Sequence, residues 1–341
     1  MTRPMIYLDH AATAPILPHA REVVAGAMAQ WANPSSQHAA GRRARAALED
    51  ARARVARALN WPGEVIFTSG ATEALALGWH GAQALRRAAS SVEHAAVARL
   101  AEDGALIPVN GRGLVDPGAL PAADLIAIQQ VNNETGVIQP CAPLGEAIRA
   151  RGAVWLADAA QGAGKIALPD ADMVAVAGHK FGAPPGVGAL LVRSLGLIRP
   201  RGGQERGYRP GTENVPYILG LAAALEADRG WLAQAADLRA WFEAEMRALG
   251  AEIMGEGAGR IPTIGAYRLP GVNATAVLIR ADMAGIAISS GAACSSGSLK
   301  PSPTILAMGR SEAEAREVFR VSIGRDTTQD DLEALLKVLR R

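Results

Sequence analysis

The stretch VWLADAAQGAGKIALPDADMVAVAGHKFG, residues 154–182, contains two short apolar runs that each end in polar residues. The first run ends at Asp158, and the second is followed within a few residues by Lys180. Continuous apolar runs of this length are typical of buried parallel strands, and ligands bind beyond the carboxyl ends of such strands. The stretch therefore predicts an open α/β sheet with a site near Asp158 and Lys180.

Similar apolar runs recur in the first two thirds of the chain, with helical patterns between many of them. The runs lie at 64–67, 125–128 and 187–192, and the helical patterns lie near 18–32, 36–59, 71–87, 94–103 and 143–151. Strands that alternate with helices predict a mainly parallel sheet covered by helices, which is an α/β fold.

The pattern changes after one long helical stretch from about 216 to 249. Strands are predicted near 251–254, 262–268, 286–289 and 318–323, and helices near 273–281, 302–308 and from about 328. We interpret this part as a smaller α+β domain. The expected division is a large domain at 15–235 and a small domain made of 1–14 and 236–341, and a chain of 341 residues is long enough for two cores.

Composition and charge exclude several classes of function. A net charge of +2 does not indicate nucleic acid as a partner, and no apolar run is long enough to cross a membrane. The N-terminus lacks a signal-peptide pattern and the two cysteines form no CxxC pair, so we expect a cytoplasmic protein without a metal site or a disulfide framework. Six arginines at 42–57 are interpreted as a solvated helix face, with docking of an acidic partner as the alternative.

The scarcity of lysine narrows the search for a Schiff-base residue. Only Lys165, Lys180, Lys300 and Lys337 are present. Lysine at the buried end of a strand is unusual because desolvation disfavours its charge, and a Schiff base would explain the position of Lys180. The other three have simpler explanations, in a loop, beside a proline and on a terminal helix.

Three further motifs have both a functional and a structural interpretation. FTSGATEA (67–74) predicts a phosphate-binding turn with hydroxyls at Ser69 and Thr72, or else a helix N-cap. Asp158 could pair with a protonated pyridine nitrogen or cap the next turn. His94, at the start of a predicted helix, could stack on a cofactor ring and transfer protons, or be structural.

Two candidates come from the C-terminal third. Cys294 lies among small residues in ISSGAACSSGSLKPS (288–302), which favours a reactive thiol, whereas Cys141 is interpreted as incidental. In FRVSIGR (319–325), Arg320 should face opposite to its two apolar neighbours, so we prefer it to Arg325 as a clamp for a substrate carboxylate.

These motifs together resemble the cysteine desulfurases of the NifS/IscS type, within the class V aminotransferase family. The resemblance covers nearly the whole chain and rests on YLDHAATAP (7–15), NPSSQHAAGR (33–42), FTSGATEA (67–74), VEHAAV (92–97), VNNETGVIQP (131–140), DAAQGAGK (158–165), GHK (178–180), GGQERGYRPGTENV (202–215), SGAACSSGSLKPS (290–302) and FRVSIGR (319–325). It implies the fold type I of pyridoxal-phosphate (PLP) enzymes, with a mainly parallel seven-stranded sheet in the large domain.

The resemblance also implies a role for each site residue. Cofactor contacts are implied for Ala71, Thr72, His94, Asn133, Asp158, Gln161, His179 and Lys180, with Thr212 reaching the cofactor phosphate of a neighbouring subunit. Catalysis is implied for Lys180, His94 and Cys294, and cysteine binding for Asn133 and Arg320, without a metal. The implied reaction converts L-cysteine to L-alanine and a Cys294 persulfide, in a homodimer with composite sites that delivers sulfur to an acceptor protein for iron–sulfur or thio-cofactor synthesis.

Three positions depart from the family pattern. Ala177 replaces the usual serine, APPGVG (183–188) replaces a lysine-containing turn, and 75–77 is Leu-Ala-Leu rather than asparagine-rich. With Ala177, one hydrogen bond to the cofactor phosphate that the resemblance implies is missing, or another group supplies it. The alternatives are a selenocysteine lyase, another class V PLP enzyme, or a catalytically silent sulfur-relay partner.

Overall fold

The computed structural model describes residues 5–290 and 301–340. In chain order its elements are β1 (Ile6–Tyr7), α1 (Pro18–Met28), α2 (Ala39–Ala58), β2 (Glu64–Thr68), α3 (Ala71–Gly81), β3 (Arg87–Ser90), α4 (Ala95–Ala98), β4 (Ala105–Ile107), β5 (Leu125–Ala127), α5 (Cys141–Ala150), β6 (Val154–Asp158), β7 (Met173–Ala177), β8 (Gly188–Val192), α6 (Val215–Leu225), α7 (Trp231–Ala248), β9 (Glu252–Ile253), β10 (Ile264–Arg268), α8 (Ala274–Met283), β11 (Ile286–Ala287), β12 (Ser289–Ser290), α9 (Pro303–Ala307), α10 (Glu312–Ala315), β13 (Val318–Ser322) and α11 (Gln329–Leu339).

A seven-stranded sheet with the order β2-β8-β7-β6-β5-β3-β4 forms the centre of the molecule. The pairs among β7, β6, β5, β3 and β4 are parallel, and β8 alone runs antiparallel to both of its neighbours. The segment between β7 and β8 contains only a short 3-10 turn, and a parallel return needs a longer crossover. The predicted α/β class and mainly parallel sheet are therefore confirmed.

Successive side chains of these strands pack into two separate hydrophobic cores. Val65 and Phe67 of β2 pack into one hydrophobic cluster, while Ile66 between them packs into another on the opposite face. Successive strand residues point to opposite faces of a sheet, so both faces of this sheet are covered and its strands are apolar throughout.

A four-stranded antiparallel sheet, β12-β13-β10-β9, and the β1–β11 pair lie outside the large sheet. Their hydrophobic cluster draws on Leu8 and on residues from Ala235 to Leu336. We propose the division into a large domain (15–235) and a small domain (1–14 and 236–341), and this distribution of sheets and clusters supports it.

Several predicted elements differ from the structure. The long helix expected at 216–249 is two helices, α6 and α7, separated by a turn in which the Asp228 carboxylate accepts a hydrogen bond from the Gly230 N–H at 3.0 Å. The helix expected at 71–87 ends at Gly81, because the backbone becomes extended at Ala82 (φ −59°, ψ 139°), and the helix near 94–103 is only α4.

The arginines of helix α2 were expected to lie on a solvated face, but not all of them do. Arg52 is buried and makes a two-pronged ion pair with Glu205, at 2.7 and 3.0 Å. Arg54, by contrast, pairs with Glu226 at the surface. Within the described residues, no helix has both the length and the apolarity needed to cross a membrane.

Candidate active site

A cavity of about 440 Å³ opens where β6 and β7 end, between the large sheet and β13. Nine of the predicted site residues line it: Ala71, Thr72, His94, Asn133, Asp158, Gln161, His179, Lys180 and Arg320. Thr212 is exposed and is not part of this cavity, and Cys294 lies outside the described residues. The structure thus brings together side chains from both ends of the chain.

Lys180 is placed by the short 3-10 turn Gly178–Lys180 that follows β7. Its Nζ donates hydrogen bonds to the backbone carbonyls of Ala11 and Ala12, at 2.7 and 2.8 Å. The amine is therefore held at the cavity wall by the N-terminal segment.

Asp158 ends β6 and is buried beside Lys180. Desolvation raises the pKa of its carboxyl group, and a 2.8 Å hydrogen bond from the Ala160 N–H and the charges of His94 and Lys180 oppose that rise. A buried carboxylate of this kind is stabilised by a positively charged partner on its open side.

Gln161 provides an unused acceptor at the same end of the cavity. Its Nε2 donates to the Ala11 carbonyl at 2.9 Å, while its Oε1 is buried and has no partner in the part of the chain that the structure describes. A buried side-chain oxygen without a partner is uncommon, so this atom indicates a donor that belongs to a ligand.

The two histidines of the cavity have defined environments. His94 caps α4, and its Nδ1 accepts the Ala96 N–H at 3.1 Å, so a neutral ring carries its proton on Nε2. His179 Nδ1 lies 3.2 Å from Thr13 Oγ1. Burial, followed by the charges of Lys180 and Lys165, lowers the pKa of His179 to about 4, so its ring is neutral at neutral pH.

The turn between β2 and α3 forms one wall. Gly70 has φ 156° and ψ −179°, a conformation that is essentially restricted to glycine. Gly188 of β8 packs closely against this turn, because a Cβ on Gly188 would lie 2.7 Å from the Gly70 Cα. The first N–H groups of α3, at Ala71 and Thr72, have no acceptor within the helix, which makes this end suitable for an anion.

Arg320 reaches the cavity from β13. Its neighbours Phe319 and Val321 are buried in the hydrophobic cluster that also contains Leu8 and Ala235. This confirms the prediction that Arg320 faces opposite to its two apolar neighbours. Arg320 donates to the Asn133 carbonyl at 2.8 Å and to Asp9 Oδ1 at 2.7 Å, and its Nε is buried without a partner among the described residues. The guanidinium is therefore held rigidly at the cavity edge.

Both described ends of the segment that contains Cys294 are attached beside the cavity. Ser289 of β12 pairs in register with Arg320, and Ser302 donates its hydroxyl hydrogen bond to the buried Glu134, next to Asn133. Cys141 is different, because burial raises the pKa of its thiol to about 11 and makes it a poor nucleophile at neutral pH.

The family model for class V aminotransferases matches residues 6–335. The chain belongs to the class V aminotransferase family. Among its relatives, cysteine desulfurase of Rhodobacter capsulatus is 38% identical, over 99% of this chain and 96% of that protein. Cysteine desulfurase IscS 1 of Archaeoglobus fulgidus is 33% identical, over 98% and 96%. The solved structure of a NifS-like protein from Rickettsia africae superimposes with a TM-score of 0.89 at 30% identity and covers 98% of both chains.

Two features of this site are not predicted from the sequence. Asp9, the partner of Arg320, follows the short strand β1, and the strand-end argument that selected Asp158 could have found it. Lys165 was interpreted as an ordinary loop lysine, but it is only 9% exposed. Among the described residues no cluster of His, Cys, Asp and Glu could hold a metal ion.

Proposed function

We propose that the protein is a PLP-dependent cysteine desulfurase that converts L-cysteine to L-alanine and accepts the sulfur on Cys294. The observation that carries the proposal is the convergence of Lys180, Asp158 and Arg320 on one cavity. An amine, a buried acid and a fixed guanidinium are what a PLP enzyme acting on an α-amino acid needs. The relatives described above are cysteine desulfurases, which supports cysteine as the substrate.

The residues present fit PLP. Lys180 offers an amine to the aldehyde, and the buried Asp158 carboxylate would meet the positive charge of the pyridine nitrogen. The unpartnered Gln161 Oε1 would take a donor from the ring, and the start of α3 with Ala71 and Thr72 would hold the phosphate. When bound, PLP supplies an electron sink for negative charge at the substrate α-carbon.

Each side chain of the site then has a separate task. Arg320 binds the substrate carboxylate and, with Asn133 beside it, orients the α-carbon. Lys180 Nζ takes the proton from that carbon and later returns a proton. His94, whose neutral ring carries its proton on Nε2, can exchange protons with the substrate sulfur.

Cys294 performs the sulfur transfer in this proposal. Its thiolate attacks the substrate Sγ, an S–S bond forms, the substrate Cβ–S bond breaks, and the electron pair of that bond stays on carbon, which is then protonated to give alanine. Four residue steps separate Cys294 from Ser290 and span at most about 14 Å. The attachment of Ser289 beside Arg320 supports such access.

The finer parts of the assignment are proposals as well. We propose a cytoplasmic homodimer in which Thr212, exposed in one subunit, completes the phosphate site of the other, and an acceptor protein takes the sulfur. Ala177 has no hydroxyl that could bind the phosphate, so α3, His179 and Thr212 provide more of the phosphate contacts in this proposal.

The test is to purify the protein with PLP, record its visible absorption, and measure alanine and protein-bound persulfide after adding cysteine. Cys294→Ser should keep the absorption band and lose alanine formation by about a hundredfold or more. Cys141→Ser is the matched control and should remain active. A Cys294→Ser protein that desulfurates at the full rate would rule out the persulfide role, and a colourless protein that PLP cannot restore would favour a silent relay protein.

A further inference from the structure

A second cavity of about 260 Å³ lies on the other side of Lys180. Its walls are largely apolar and include Ile16, Leu17, Trp231, Ile264 and Ile323. Ala11 and Lys180 take part in the walls of both cavities, so the N-terminal segment separates the second cavity from the first. The proposed function gives this second space no task.

Two lysines line this cavity, and Lys180 Nζ already donates to the carbonyls of Ala11 and Ala12, which leaves Lys165. It is only 9% exposed, and within residues 5–290 and 301–340 its ammonium group makes no hydrogen bond or ion pair. Burial, followed by the charge of Lys180, lowers the pKa of Lys165 to about 7. About half of the Lys165 side chains are then charged at neutral pH, and an anion in the cavity would stabilise the charged form.

The other charged and titratable groups around the cavity already have neighbours of their own. His10 bonds to the Tyr7 carbonyl at 3.1 Å, and Arg325 donates to the Asp228 carbonyl at 2.6 Å and stacks over Trp231. Asp326 is exposed at the rim. Lys165 is therefore the group most available to an anion inside the cavity.

Thr263 supplies an independent second observation. It lines the same cavity, is only 2% exposed, and its Oγ1 is buried with no hydrogen-bond partner in the described part of the chain. A hydroxyl can donate to a carboxylate oxygen while the ammonium group takes the other oxygen. Two unpartnered polar groups in one apolar cavity define the chemistry of an occupant.

We propose that this cavity binds a small aliphatic monocarboxylate, with the carboxylate on Lys165 and Thr263 and the alkyl group against the apolar wall. The volume and the apolar lining favour a short branched or straight chain over a phosphate, which would need more donors than these two. Because Lys180 lines both cavities, we expect an occupant of the second cavity to affect the active site through Lys180.

The experiment measures binding of isobutyrate to the PLP-loaded protein by calorimetry and by tryptophan fluorescence, since Trp231 lines the cavity. Isobutyrate should bind with a Kd of about a millimolar, and the neutral isostere isobutyramide should not bind. Lys165→Met should raise the Kd at least about tenfold, and Thr263→Val by a smaller factor. Lys337→Met, which removes an exposed lysine of α11, is the matched control and should leave the Kd unchanged.

The alternative location for isobutyrate is the first cavity, on Arg320. Arg320→Gln separates the two, because it should leave the Kd unchanged if the carboxylate lies on Lys165. Binding that is lost in Arg320→Gln but kept in Lys165→Met overturns the proposal, as does a wild-type protein that binds no isobutyrate at tens of millimolar, about tenfold above the expected Kd. If Lys165→Met does not fold, Thr263→Val with the same two probes decides the question. The cysteine assay tests the proposed function separately, so a failure to bind isobutyrate would not count against cysteine desulfuration.

Discussion

Glu93 is a buried acid directly before His94, and it forms no ion pair with any residue that the structure describes. The Ser90 hydroxyl and the Gln129 N–H both donate to its Oε1, and Oε2 has no partner among the described residues. Burial raises the pKa of Glu93 to about 8, against those two hydrogen bonds, and the charge of Asp158 adds to the rise. Glu93 is therefore protonated in the folded protein at neutral pH.

This protonation makes folding stability depend on pH. The folded pKa of Glu93 lies above the unfolded value, so its contribution is complete below about pH 4.5 and is lost as the pH rises toward 8. Relative to Glu93→Gln, wild-type protein should lose a few kcal/mol of unfolding free energy across that interval. Denaturant unfolding at several pH values measures the difference, and Glu102→Gln, at an exposed position, should track wild type. Parallel curves for wild type and Glu93→Gln would contradict the prediction.

At the scale of single residues, the sequence predicted the groups that end strands and missed those defined by distant partners. Asp158 and Lys180 could be found because a parallel sheet brings consecutive strand ends together. Asp9 and Arg320 meet across 311 positions of the chain, and nothing local to either residue indicates that contact. The burial of Lys165 depends in the same way on residues from several separate segments.

At the scale of elements, α2 offers a matched pair of arginines. Arg52 and Arg54 each form two hydrogen bonds with a glutamate outside α2, Glu205 and Glu226 respectively, and Arg52 also donates to Glu49 and to the Val65 carbonyl. Arg52 and Glu205 are buried, while Arg54 and Glu226 are 22% and 41% exposed. Glu205 also accepts the Phe67 N–H at 2.8 Å, so the pair joins α2 to β2.

Replacing these two arginines one at a time should therefore lower the free energy of unfolding by very different amounts. Arg52→Ala leaves a buried carboxylate without its partner and should lower the free energy of unfolding by about 3–5 kcal/mol. Arg54→Ala loses a partly exposed pair and should cost less than about 1 kcal/mol. Urea unfolding of the two variants measures both values, and equal losses would show that burial of Arg52 is energetically unimportant.

The elements themselves were predictable where one local pattern decides them. The period-2 alternation identified β13 and the face of Arg320. The break between α6 and α7 is not predicted, because the helical pattern of the sequence continues across the break. The turn between the two helices contains one side-chain hydrogen bond, from the Gly230 N–H to Asp228. The reversed direction of β8 follows from the short β7–β8 connection, which apolar runs alone do not report.

At the scale of the whole molecule, the proposed dimer makes a prediction about mixed subunits. Lys180→Ala should inactivate the site that contains it, and Thr212→Asp should place a negative charge at the phosphate of the other subunit's site. Mixing and reassociating the two inactive variants would then create one intact site in each mixed dimer. About a quarter of wild-type activity should return, because random mixing makes half of the dimers mixed. Activity that stays absent after verified subunit exchange would place Thr212 in its own subunit's site, whereas a Thr212→Asp protein that is active on its own would place Thr212 outside the site.

The N-terminal segment has a consequence for synthesis on the ribosome. β1 pairs with β11, the Ala11 N–H bonds to the Ser322 hydroxyl, and the carbonyls of Ala11 and Ala12 hold Lys180. Ala11 is thus made long before its partners Lys180 and Ser322, since translation proceeds at roughly 5–20 residues per second. The emerging chain can form its large sheet, which ends at Val192, before Arg320 of the cavity wall has been made, so the pocket is completed late and we expect cofactor capture to come after the sheet has formed.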